Sequence, residues 1–91
     1  MIDVGLYVRL LLKKRKMTQA DLLRKMKQMG LADEKTLVRQ KLNNAINIQM
    51  GYTWARRIEL ALGLKDYELI RMIGQPSEYE WKKIGEIKAK L

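Results

Sequence analysis

The sequence predicts an all-α, compact domain of five to six helices, and three observations carry that prediction. Apolar residues recur three and four positions apart along most of the chain, the spacing of one helical face. Start and stop signals punctuate this pattern: Thr18 and Ser77 where helices begin, Gly30, Gly63 and Gly74 where they end. No run of useful length alternates apolar and polar residues as a half-buried strand would. At 91 residues the chain is a single domain, near the lower size limit for an independent core.

The first helix is predicted over residues 2–16, with Val4, Val8 and Leu11 as its stripe, joined by Tyr7 and Leu12. Leu6 and Leu10 lie off that stripe, so this helix is either buried on two faces or meets another chain. Its last turn, Lys13-Lys14-Arg15-Lys16, complements the negative end of a helix dipole. Thr18 caps a second helix that runs to about Met29, with Asp21 in its first turn and Leu22, Leu23, Met26 and Met29 inward. Gly30 suits the left-handed position past a helix end, and Leu31 plugs the turn.

A third helix is predicted over residues 36–47, with Asp33 and Glu34 at its positive end. With Leu42 facing the core, at about 100° per residue Val38, Ala45 and Ile46 share its side. Thr36, Gln40, Asn43, Asn44 and Asn47 fall opposite. Gly51 marks a connector, and Thr53 caps a fourth helix whose inward stripe is Trp54, Ile58, Ala61 and Leu62, leaving Arg56, Arg57 and Glu59 outside. Asp66 caps a fifth, anchored by Tyr67, Leu69, Ile70 and Ile73, which Gly74 and Pro76 stop. Ser77 and Glu80 form a capping box for a sixth helix that runs to the C-terminus, where Ile84, Ile87 and Leu91 recur at heptad-like spacing with Trp81 beside them.

Composition narrows function. Histidine and cysteine are both absent. The usual zinc sites and nucleophile–base pairs therefore cannot be built, and neither an enzyme nor a cofactor is expected. The lack of cysteine suits a reducing cytoplasm. No apolar run approaches the roughly 20 residues of a membrane span, and the N-terminus carries Asp3 and no cleavage pattern, so no signal peptide is expected. The net charge is +9, and residues 1–30 hold eight basic against two acidic side chains. Such a basic half attracts polyanions.

The outer stripe of the third helix is the most informative pattern. Solvated helix faces usually carry Lys and Glu. Asn and Gln gain little helix propensity, but one amide can give one hydrogen bond and take another, which is what reading a base-pair edge requires. The plainer reading is that Asn43, Asn44 and Asn47 fray the end of a helix.

The first four helices resemble the lambda-repressor-like helix-turn-helix domain of the Cro and repressor type. The resemblance rests on Met17-Thr18-Gln19-Ala20-Asp21-Leu22, on the packing residues Tyr7, Val8 and Leu11 before it, and on Ile58-Glu59-Leu60-Ala61-Leu62-Gly63-Leu64. It spans about two-thirds of the chain. Residues 1–74 are then expected to form the helix-turn-helix DNA-binding domain, and residues 75–91 a C-terminal helix of the same domain that caps the core or serves dimerisation. It implies that Gln19 binds a DNA phosphate and that the third helix meets base edges in the major groove. Thr36, Arg39, Gln40, Asn43 and Asn44 are then the base-contact candidates, and Lys14, Lys16, Lys35 and Lys41 join Gln19 as phosphate contacts. Leu23 stands where the family has Ala, Lys27 where it has the turn Gly, and the usual Pro-Ser opening of the fourth helix is missing. A longer second helix and a displaced turn are expected.

The expectation is a sequence-specific, double-stranded DNA-binding transcriptional regulator of phage or mobile-element type. A homodimer through the last helix or the outer side of the first would double a small interface. The alternative is a protein-binding module on the same scaffold, such as an antitoxin or phage adaptor, meeting an acidic partner. A membrane-surface or RNA-binding basic protein has little support, since Trp54 and Trp81 sit at core-like spacing rather than on a stacking platform.

Overall fold

The computed structural model describes residues 3–90, so the sequence readings on Ile2 and Leu91 lie outside it. Its elements are α1 (Val4–Lys14), α2 (Gln19–Met29), α3 (Arg39–Asn47), α4 (Tyr52–Leu62), α5 (Glu68–Ile73) and α6 (Glu78–Glu86). The domain is all-helical. Among the described residues no helix is long and apolar enough to cross a membrane.

Asp3, not anticipated as a cap, starts α1 by accepting the Leu6 N–H at 2.7 Å. The helix ends at Lys14 rather than residue 16. Its deepest residues are Gly5, Val8 and Leu12, while Val4 and Leu11 are only half-buried. Leu10 is 49% exposed and Leu6 half-buried, so the second apolar side of α1 is only partly covered. After α1 the chain turns through Lys16, whose φ of 56° is left-handed, and the Met17 N–H closes on the Leu12 carbonyl at 2.9 Å. A lysine thus occupies a position that glycine suits best.

The caps of α2 follow from the sequence. Thr18 and Asp21 exchange side-chain and backbone bonds in a full capping box. Hydrogen bonding by Thr18, backbone first and then side chain, holds the Asp21 carboxyl below its ordinary 3.8. Gly30, at φ 65°, ends the helix as expected, and Leu31 is buried behind it.

The route into α3 corrects the sequence reading. Asp33 does not serve the helix itself. Its carboxylate accepts the Thr36 N–H at 2.8 Å and its carbonyl accepts that of Leu37, closing an isolated turn. Leu37 drops into the core, and Val38 is extended and exposed instead of facing inward. The helix therefore begins at Arg39, and Thr36 lies in the connector. Leu42, Ala45 and Ile46 are buried as predicted. A helix of nine residues has little stability alone, so these three anchors fix where it sits.

In α4, Gly51 stands at the N-cap in place of Thr53, and the buried positions are Ala55, Ile58, Glu59, Ala61 and Leu62, with Trp54 half-buried. Glu59, expected outside, is 1% exposed. Its carboxylate accepts the N–H groups of Tyr67, Leu69 and Ile70 at 3.1, 2.8 and 3.0 Å. It does the work assigned to Asp66: it satisfies the first N–H groups of α5, which have no partner within their own helix. Asp66 instead meets Arg56 at 3.0 Å, and Arg56 also reaches Glu59 at 3.2 Å.

The Ser77–Glu80 capping box forms as read. Ile84 is buried in the same core as α1 to α5, and the Trp81 ring stands edge-on to Tyr67 at 5.1 Å. The helix does not reach the C-terminus. It stops at Glu86, and residues 87–90 form an extended strap whose Lys90 N–H donates to the Met29 carbonyl at 2.7 Å.

Candidate nucleic-acid interface

α3 has a dry side and a wet side. Its inward residues, Leu42, Ala45 and Ile46, pack against α1 and α2, and Arg39, Gln40, Lys41, Asn43, Asn44 and Asn47 are all exposed. The approach of α3 to α1 is close because Gly5 has no side chain. A Cβ there would lie 2.0 Å from the Ile46 carbonyl oxygen.

The amides of the outer face are not equivalent. Asn47 donates to both the side-chain and backbone oxygens of Asn43, at 2.7 and 3.1 Å, and accepts from Arg9 at 3.3 Å. These three side chains form a small network at the C-terminal end of α3. Arg9 belongs to the face and was not singled out in the sequence, because it lies on a different helix. Gln40 and Asn44 form no side-chain hydrogen bond among the described residues, and neither does Arg39. Gln40 and Asn44 stand one turn apart, about 6 Å along the axis.

Cations flank the start of the helix. The Lys41 ammonium bends back to donate to the Lys35 carbonyl at 3.1 Å, which draws two predicted phosphate residues together over the connector. Among the described residues no side chain caps α3, and Val38 at the N-cap position has no polar group to offer. Its first N–H groups are left open, the arrangement that favours anions at a helix N-terminus. Thr36 stands apart from this face. It is half-buried in the connector, and its hydrogen bonding, side chain first, holds the Asp33 carboxyl below 3.8.

The remaining predicted residues gather at the junction of α1 and α2. Lys14 and Lys16 are exposed, and half-buried Gln19 is the first residue of α2. Arg15, within the same basic run, is engaged by the Leu62 carbonyl and ties α1 to the end of α4. The fold and this face define the class of molecule: a small all-α domain presenting a short helix with two unengaged carboxamides, Gln40 and Asn44, and basic groups at its start. The chain matches no known protein family, no curated protein and no solved structure.

Proposed function

We propose that the protein is a sequence-specific, double-stranded DNA-binding regulator of the lambda-repressor-like type, non-enzymatic, that lays α3 in the major groove. One observation carries the reading: Gln40 and Asn44 are exposed, unengaged and one turn apart on a helix whose other side is buried. A major groove about 12 Å wide admits such a helix. Amides at this spacing suit adenine edges, each bidentate pair contributing about 1–3 kcal/mol of discrimination. Asn43, already held by Asn47, orients the face more than it reads. Lys14, Lys16, Gln19, Lys35, Lys41 and the open N-terminus of α3 supply phosphate contacts, and affinity then falls steeply with salt. A single nine-residue helix makes a small interface. A two-fold homodimer with half-sites about 34 Å apart would double it, and exposed Leu10 on α1 is a surface for the second copy.

A binding titration over increasing salt, with related and scrambled duplexes, tests the roles. Gln40→Ala and Asn44→Ala are expected to lose preference by roughly tenfold while retaining scrambled-duplex affinity. Lys14→Ala is expected to weaken all duplexes alike and reduce the salt slope by about 1. Identical behaviour of the two classes would refute the assignment.

A second reading is favoured by Ile48, 77% exposed directly after α3, and by the connector over residues 30–38, which is wider than a three- or four-residue turn. On that reading α3 and Ile48 dock on an acidic protein, as an antitoxin or phage adaptor would. Ile48→Asp would then abolish the complex, and the domain would bind no duplex at low salt.

A further inference from the structure

We propose that the cleft between the α2–α3 connector, α4 and the C-terminal strap binds a small phosphate-bearing anion. The cleft has a volume of about 440 Å³, within the range of small-ligand sites. Arg57, Lys83, Lys88 and Lys90 line it, with the hydroxyl-bearing Thr36 and Thr53. Two carboxylates, Asp33 and Glu86, share the lining, so cations outnumber anions there. Glu86 is occupied by Lys83 at 4.0 Å.

Arg57 is the centre of the case. It follows Arg56 in sequence, yet the two guanidinium groups have opposite fates. Arg56 bridges Glu59 and Asp66. Arg57 has no ion pair among the described residues, and its Nε is removed from solvent with no hydrogen-bond partner. Its guanidinium lies over the Trp54 ring, 5.1 Å from the centroid. Burial pushes this group below its ordinary value, and the Asp33 charge opposes that only from beyond ion-pair distance. A partly desolvated, unpaired cation is costly, and an anion in the cleft would offset that cost.

Phosphate is the class that fits. Its oxygens match the guanidinium fork two at a time, and a dianion answers a surplus of cations. The cleft is concave and shares its lining with Asp33 and Glu86. Both features suit a discrete ligand better than a continuous duplex backbone, so this site stands independently of the reading of α3.

The test is a titration of the ¹⁵N-labelled full chain with inorganic phosphate, against sodium chloride at matched ionic strength. The expected result is saturable shifts confined to residues 30–36, 53–57 and 83–90. Arg57→Gln and Lys88→Gln should each weaken binding roughly tenfold, with Lys25→Gln, on the outer face of α2, unchanged. Lys88 is exposed and leaves the core intact, so it decides the matter if Arg57→Gln fails to fold. Non-saturating shifts spread over Lys13 to Lys16 and α3, an equal response to chloride, or undiminished affinity in Lys88→Gln would overturn the proposal.

Discussion

Glu59→Ala is expected to lower stability by about 3–5 kcal/mol. The carboxylate it removes accepts the backbone N–H groups of Tyr67, Leu69 and Ile70 at the start of α5 and one Arg56 bond, in a place without solvent. Each buried N–H left without an acceptor costs about 1–3 kcal/mol. Against a total of about 5–15 kcal/mol for a domain of ordinary stability, that loss is most of the margin. Glu59→Gln keeps the size but turns a donor toward donors, so it should recover only part. Equilibrium urea unfolding followed by far-ultraviolet circular dichroism measures both. A loss under about 1 kcal/mol for Glu59→Ala would mean that α5 finds other acceptors. Because the contacts of Glu59 are to α4 and α5, the folded fraction should still bind duplex.

Gly5→Ala is the second large effect, and here the sign is informative. In an exposed helix interior, Gly→Ala stabilises by about 1 kcal/mol. At Gly5 the new methyl would lie 2.0 Å from the Ile46 carbonyl oxygen and 3.1 Å from its carbon. Both are backbone atoms of α3, with no flexible side chain to give way. The helices must separate, and overpacking of this kind costs about 1–3 kcal/mol. Gly85→Ala is the internal control, since among the described residues nothing lies within 4 Å of where its new Cβ would stand, and it sits in α6. The same substitution there should stabilise by about 0.5–1 kcal/mol. The two denaturation midpoints should therefore move in opposite directions. Gly5→Ala should also weaken duplex binding in molecules that remain folded, because it displaces the helix carrying Gln40 and Asn44. Equal midpoints would remove the close crossing of α1 and α3 from the account.

Much of this was legible in the sequence where the determinants are local. The Thr18–Asp21 and Ser77–Glu80 boxes, the left-handed Gly30, and the inward set Leu42, Ala45 and Ile46 each need only a few neighbouring residues to specify them. So does the outward stripe of α3 from Gln40 to Asn47, though not Thr36, which lies in the connector. What escaped depends on partners distant in the chain. Glu59 shares the spacing of Ala55, Ile58 and Leu62, a signal that placed it inward. Its charge argued the other way, and only the N–H groups of α5 resolve the conflict. The start of α3 differs from its periodicity because Asp33 closes its own turn, which shifts burial by one residue from Val38 to Leu37. The strap is hidden in the sequence because Ile87 continues the helical spacing of α6, while the Lys90–Met29 bond ties that segment down outside the helix. Arg57 looked like an ordinary outer cation until the connector and the strap enclosed it.

Selection of bound duplexes from a random pool tests the central claim most directly. The full chain, immobilised at low salt, should enrich a short motif within a few rounds, and Gln40→Ala with Asn44→Ala in one chain should abolish that enrichment while leaving weak, salt-sensitive binding. A pool that stays random with the unaltered protein, or an equal enrichment by the double variant, would contradict it.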